Sequence, residues 1–232
     1  MLELSDVTAG YNTTPVLRNV DLTVADGEIV GVMGKNGVGK TTLVKTIIGL
    51  VEPMSGTLSY EGDDLTGASA DERARAGIGY IPQGREVFPN LSVEQNLKMG
   101  TTVNADSDET LYDTVYDYFP ILQERADQDA GTLSGGQQQM LAIGRALVAN
   151  PDLLLLDEPS EGIQPSIVQQ ISEDVQTINE ELGTTILFVE QNLKVIRRMA
   201  DRCYAMERGE LVDELDAATL DDEAALAEYL AV

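Results

Sequence analysis

Residues Gly34-Lys35-Asn36-Gly37-Val38-Gly39-Lys40-Thr41-Thr42 match the pattern G-x-x-x-x-G-K-[ST], which brings small residues, one lysine and a hydroxyl around a polyphosphate. Glycines without Cβ atoms let successive backbone N–H groups point at phosphate oxygens, and a helix N-terminus adds positive partial charge. In that arrangement Lys40 bridges the β and γ phosphates and the Thr41 hydroxyl binds Mg²⁺. Further on, the apolar run Leu153 to Leu156 ends in Asp157-Glu158, two acids at the carboxyl end of a buried strand, where ligands collect in open α/β sheets. Asp157 is expected to hold Mg²⁺ through water, and Glu158 to polarise an attacking water as general base. The chain lacks an Asn-Lys-x-Asp loop of the kind that reads guanine, so ATP is the expected nucleotide.

A second anion site is written into Leu133-Ser134-Gly135-Gly136-Gln137. Ser134 and Gln137 form an S-x-x-Q capping box ahead of a helix whose Met140, Ile143, Leu147 and Val148 face a core. A capped N-terminus preceded by glycines also binds phosphate. The chain already has one phosphate loop, so this extra site has a use only if it closes on the nucleotide of a second subunit.

The elements that must position these residues follow from hydrophobic period. Val20, Leu22 and Val24 alternate with Asn19, Asp21 and Thr23, and Asp26-Gly27 then turns the chain into the run Ile29 to Met33, which reads as a hairpin feeding a buried strand. Leu58 and Tyr60 add to a small antiparallel sheet near the N-terminus. The unalternating runs Leu153 to Leu156 and Ile186 to Val189 are too short for helices and suit parallel strands covered on both faces. Ile167, Ile171, Val175, Ile178 and Leu182 mark a helix opened by Pro165 and closed by Gly183. Residues 86–149 carry serine-capped helix starts at Ser92 and Ser134 and read as a helical insertion, with 1–85 and 150–232 forming the α/β core of one domain. Residues 213–228, acidic and alanine-rich, read as a terminal helix.

Composition narrows the partners. The 232 residues hold 40 Asp plus Glu against 15 Lys plus Arg, a net charge of -25, and no basic cluster larger than Arg197-Arg198. Nucleic acid is not an expected partner, because binding a phosphate backbone needs a basic surface that releases counterions. Anionic lipid also repels such a chain, so membrane attachment is expected to run through protein contacts. The charge excess suits either a solvated surface or a high-salt cytoplasm in which self-repulsion is screened. No run approaches 18 apolar residues and Met1-Leu2-Glu3-Leu4 has no signal core, which points to a soluble cytoplasmic protein. Cys203, the single cysteine, is expected to pack rather than react.

With phosphate loop, Asp157-Glu158 and Leu133 to Gln137 together, the chain resembles ABC transporter ATPases over essentially its whole length. The resemblance implies a P-loop NTPase with a RecA-like parallel sheet, an N-terminal antiparallel β subdomain and an inserted helical subdomain. It also implies that Tyr11 stacks on adenine with Val16 beside the base, and that Gln83 in Pro82-Gln83-Gly84-Arg85 senses Mg²⁺ and a membrane subunit. A head-to-tail dimer, with itself or a paralogue, would trap ATP between one phosphate loop and the partner's Ser134 and Gly136, working on integral-membrane permease subunits at the cytoplasmic membrane face and indirectly on an extracellular solute-binding protein. Two positions depart from the family pattern: Gln191 stands where a switch histidine is usual, in a chain with no His, and Glu161-Gly162-Ile163-Gln164 replaces Ser-Ala-Leu-Asp. Gln191 can donate a hydrogen bond to the γ-phosphate but cannot take up a proton or carry a charge, leaving the basic role to Glu158. The run Val189-Glu190-Gln191-Asn192 resembles the smaller ATPase of branched-chain amino acid, urea and short-amide importers. Within that group Gly77 to Pro89 and Glu161 to Ser166 look closest to the urea type, with branched-chain amino acid import as the alternative. DNA-repair and translation-associated relatives fit less well: about fifty residues separate Gln83 from Leu133, too few for a long coiled coil, and one ATPase domain is present, not two. A regulatory module that binds nucleotide without turnover is opposed by the intact Lys40, Asp157 and Glu158.

Overall fold

The structure, a computed structural model, describes residues 1–102 and 111–222. Alternating apolar residues build β1 (Leu2–Tyr11) and β2 (Thr14–Val24), antiparallel with Leu2 opposite Val24 and Tyr11 opposite Thr14. The hairpin therefore turns at Asn12-Thr13. The expected turn at Asp26-Gly27 forms, with Gly27 at φ 69°, but it is not a hairpin: the strand it delivers, β3 (Ile29–Met33), lies in a different sheet. The cause is visible in the burial pattern. Strand β2 alternates and suits a sheet with one wet face, whereas all five residues of β3 are buried.

Helix α1 (Lys40–Ile47) follows β3, and β4 (Pro53–Tyr60) and β5 (Asp63–Asp64) complete an antiparallel sheet of order β2-β1-β4-β5. A short α2 (Ala70–Arg75) leads into β6 (Ile78–Ile81). Next come α3 (Val93–Gly100), α4 (Tyr112–Tyr118), α5 (Pro120–Glu124), a 3₁₀ turn at Ala130–Thr132 and α6 (Gly135–Leu147). The chain then returns through β7 (Leu153–Asp157), α7 (Pro165–Leu182), β8 (Thr185–Glu190), α8 (Leu193–Met199), β9 (Arg202–Glu207), β10 (Glu210–Leu215) and α9 (Ala217–Leu220).

The second sheet runs β10-β9-β3-β8-β7-β6, parallel from β9 to β6, with β10 antiparallel at the edge. Its strands are apolar on both sides because each side has its own cover. Val30, Val32, Leu153, Leu155, Leu187 and Val189 face α1 and the first sheet, while Ile29, Met33, Leu154, Leu156, Ile186 and Phe188 face the helices α6 to α8. Each such side chain contributes about 1.5–3 kcal/mol of burial. In α7, Pro165 sits in the first turn and Gly183 caps the end at φ 71°.

Register decides where the chemistry falls. Met33 lies opposite Glu190 and Asp157 opposite Val189, so β3, β7 and β8 end level with one another. The loops that leave them, including the phosphate loop, Glu158 and Gln191, emerge along one edge.

The acidic C-terminal stretch differs from its expected helix. Asp213 to Leu215 finish β10, where Leu215 is buried opposite Cys203, and only the single turn α9 is helical, capped by Asp216 on the Thr219 amide. Residues 223–228 of that expected helix lie outside the described residues. Cys203 is fully buried in β9, and burial pushes its thiol up to about 12 despite a hydrogen bond from the Met33 backbone.

Candidate functional site

The phosphate loop is shaped by two glycines in particular. Gly39, the residue before α1, sits at φ 119°, which side chains with a Cβ rarely adopt, and a Cβ on Gly34 would come within 2.6 Å of the Met206 carbonyl oxygen. With that bend, Lys40 folds back under the loop. The residue is 4% exposed, and its ammonium donates to the carbonyls of Gly34 at 2.8 Å and Lys35 at 3.0 Å and pairs with Glu158 Oε1 at 3.0 Å. Lys35, Asn36 and Gly37 are exposed at the tip, and Val38 packs beneath it.

Val16, Asn36, Gly37, Gly39, Lys40, Thr41, Thr42, Gln83 and Glu158 line one cleft of about 240 Å³. Asp157 stands behind Thr41, whose hydroxyl donates to Oδ1 at 3.1 Å. Burial pushes the Asp157 carboxyl up to about 6; the Thr41 hydrogen bond opposes this, the Glu158 charge adds to it, and Lys45 and Lys40 oppose it. Glu158 holds its backbone at φ 49°, an uncommon conformation for a residue with a side chain. The Gln83 amide donates to Glu158 Oε2 at 3.4 Å and to Glu161 Oε2 at 3.0 Å. An ammonium, a hydroxyl, two carboxylates and a carboxamide thus converge where a strand end meets a helix start, a set able to bind a polyphosphate and deprotonate water.

Other candidate residues stand apart from this cleft. Ser134 caps α6, accepting from the Gln137 amide at 3.3 Å while Gln137 Oε1 accepts from the Ser134 amide at 3.0 Å. Leu133 is buried and Gly136 allows α6 to lie on α7, since a Cβ there would come within 2.4 Å of Ile167 Cγ2; Gly135 faces the Arg85 guanidinium and the Gly162 carbonyl. None of these five lines the cleft. Tyr11 is 48% exposed at the end of β1 and also lies outside the lining, as does the exposed Gln191.

Sequence reasoning gave no role to Glu190, which is buried at the end of β8 and binds the loops on either side of it. The signal was available: an acid closing an otherwise apolar buried run. It likewise missed Arg145, whose guanidinium lies over the Phe88 ring at 5.1 Å and donates to the Glu86 carbonyl at 2.9 Å, fastening α6 to the segment after Gln83. Arg85 Nη2 in turn donates to the Glu161 carbonyl at 2.6 Å.

A phosphate loop between a central strand and its helix, with an Asp-Glu pair at the end of a parallel strand one place removed, β8 lying between, defines a P-loop nucleotide hydrolase. The ABC transporter family matches residues 17–161, and the chain is 45% identical over 213 residues to the high-affinity branched-chain amino acid transport ATP-binding protein BraG of Pseudomonas aeruginosa, covering 91% of each. It is 38% identical over 210 residues to a probable branched-chain amino acid transport ATP-binding protein, LivF, of Archaeoglobus fulgidus, covering 90% of this chain and 89% of the other. Among solved structures, a dimeric ATP-binding cassette in a post-hydrolysis state with ADP and phosphate superposes with a TM-score of 0.84 at 26% identity, covering 94% of this chain and 99% of that one. The chain belongs to the ABC transporter ATP-binding family, and its activity is ATP hydrolysis coupled to transport.

Proposed function

We propose that this chain energises the import of branched-chain amino acids as one ATPase subunit of a membrane complex. The observation that carries the reading is the convergence of Lys40, Thr41, Gln83, Asp157 and Glu158 at one cleft, in a chain 45% identical to BraG. The urea reading rests on resemblance at Gly77 to Pro89 and Glu161 to Ser166 alone, and the names of BraG and LivF favour the amino acid.

In this mechanism the loop amides and Lys40 hold the β and γ phosphates, with phosphate oxygens replacing Glu158 as the partner of the ammonium. Glu158, released, accepts a proton from the attacking water. Val16 packs beside the base and Tyr11 stacks on it; Gln191 donates to the γ-phosphate. The residues also fit Mg²⁺: Asp157 Oδ2 is buried without a hydrogen-bond partner, and Thr41 and Gln83 add neutral oxygens, a hard-donor set of the kind this ion takes. Thr41, Gln83 and Asp157 would hold it, and when bound it neutralises charge on the phosphates. Ser134 and Gly136 reach the nucleotide of a second protomer, identical or paralogous, so each cleft is completed across a dimer.

A mostly apolar hollow of about 380 Å³, lined by Tyr80, Phe88, Met99 and Arg145 among others, lies between the α/β core and the helical segment. Phe88 and Met99 are 42% and 41% exposed there, and a permease helix is the occupant we assign. Among the described residues no helix is long and apolar enough to cross a membrane. As the ATPase of an importer, the chain is placed on the cytoplasmic face, held by protein contacts to the permease. The acidic surface suits a high-salt cytoplasm.

Reconstituting the chain with its permease subunits and measuring hydrolysis with binding proteins loaded with leucine, urea or a short amide tests this reading. Leucine is expected to stimulate; stimulation by urea alone would replace the cargo, and no turnover with any solute would remove the transport role.

A further inference from the structure

Glu190, 2% exposed as a residue, ends β8. Its two oxygens accept four hydrogen bonds. Oε2 accepts from the Ser160 hydroxyl at 2.7 Å and the Ser160 amide at 3.3 Å. Oε1 accepts from the Gln191 amide at 2.8 Å and the Asn192 amide at 3.0 Å. A buried carboxylate is costly unless its lone pairs are met by donors, so these four bonds are coupled: losing one weakens the case for the charge that the other three share. The donors come from two separate loops. One follows β7 and carries Glu158 and Glu161; the other follows β8, carries Gln191, and starts α8 through the Asn192 side chain, which accepts from the Lys194 amide at 3.1 Å. The Glu158 amide also donates to the Val189 carbonyl at 3.0 Å, so the general base is tied to the same strand end from the backbone side.

The geometry points to Glu190 as a positioning residue that clamps the loop after Asp157-Glu158 to the loop bearing Gln191, so that the two reach the nucleotide as one unit. This rests on the ATPase reading of Glu158 and Gln191 given above and adds a residue to it. In place of an imidazole at the switch position, the chain has a neutral carboxamide with no charge to orient it, and its backbone is fixed from behind by a buried acid. The Ser160 side of the clamp sits in the same loop as Glu161, whose side chain takes the Gln83 amide and whose carbonyl takes Arg85. The clamp is therefore connected through that loop to the segment Gln83 to Phe88, which Arg145 of α6 holds in turn.

Two variants of the full-length chain test it. Glu190→Gln keeps the size of the side chain and turns an N–H₂ toward two of the four donors. The expected result is a fall of kcat by about tenfold or more, with KM for MgATP changed less than about twofold, because Lys40 and the phosphate loop are untouched. Ser160→Ala cuts the clamp on one loop only, and the readout is hydrogen exchange at the Gln191 and Asn192 amides on the other, expected to speed up by about tenfold. Unchanged exchange at those amides in Ser160→Ala overturns the clamp, whether or not Glu190→Gln folds. Unchanged kcat in a folded Glu190→Gln, or kcat and KM moving together with the melting temperature, overturns the positioning role. If the parent chain itself shows no turnover with its permease, the ATPase reading of the site fails, and the exchange result still decides on the clamp.

Discussion

Glu158 sits at φ 49° with its carboxylate 3.0 Å from the Lys40 ammonium. Holding a side-chain-bearing residue there costs about 1 kcal/mol or more, and such positions persist where the surrounding structure over-determines them. Here the constraints are the Lys40 pair, the Gln83 amide and the backbone bond to Val189. With the backbone so held, the Glu158 side chain lines the cleft. Glu158→Gln retains the shape and the acceptor but removes the basicity. Turnover is expected to fall by about 10²-fold or more while nucleotide binding remains, read by phosphate release beside equilibrium binding of ATP. Near-parental turnover would move the base elsewhere. The chemistry of this cleft was legible from residue types and spacing, because glycine, lysine, threonine and paired acids each do one thing near a phosphate. For Glu190 only the buried acid at the end of an apolar run was legible; its proposed role was not, because that depends on which loops fold against it, and nothing local in the sequence brings Ser160 to the end of β8.

The connection between β2 and β3 shows how separate sheets are fastened. Glu28 receives Arg202 twice, Nε at 2.6 Å and Nη2 at 3.0 Å, and the Ala25 amide at 3.0 Å. Burial alone would raise its carboxyl, but the Arg202 and Ala25 hydrogen bonds outweigh burial and hold it below the ordinary 4.5. A depressed folded value means stability that is fully present above 4.5 and is lost as pH falls through the folded value. Glu28→Gln is therefore expected to cost about 1 kcal/mol at neutral pH, a figure reduced from that of a buried pair because both partners keep solvent contact. The gap between variant and parent in denaturant melts should narrow as pH falls below 4.5 and through the lower folded value; a gap independent of pH would assign the effect to packing. At this scale the sequence told most where period and burial agree. The runs in β7 and β8 and the spacing of α7 were readable because each is apolar for one reason only. The hairpin was placed one strand too late, since Asp26-Gly27 is the stronger turn dipeptide and Asn12-Thr13 the weaker. Leu215 of β10 sits among the acids and alanines of 213–228 whose composition favours a helix, and pairing with the edge of β9 makes its end of that segment a strand.

The whole molecule carries a net charge of -25, and in the proposed dimer two such chains approach each other. The same self-repulsion opposes folding and association, and it decays over a Debye length of about 10 Å at 0.1 M salt and about 3 Å at 1 M. Raising potassium chloride across that range is expected to raise the melting temperature by several degrees and to strengthen dimerisation of Glu158→Gln with ATP. Full stability and association at low salt would mark the acidity as ordinary surface solvation. Following that closure in solution needs reporters on two protomers, and here the fold offers a convenience. The chain's single thiol, Cys203, is sealed between two strands and held protonated. A cysteine introduced on the exposed surface, away from the cleft and from Ser134 to Gln137, would thus be the one site to take a maleimide dye or spin label, so distances across the dimer can be read without first removing a native residue from the core.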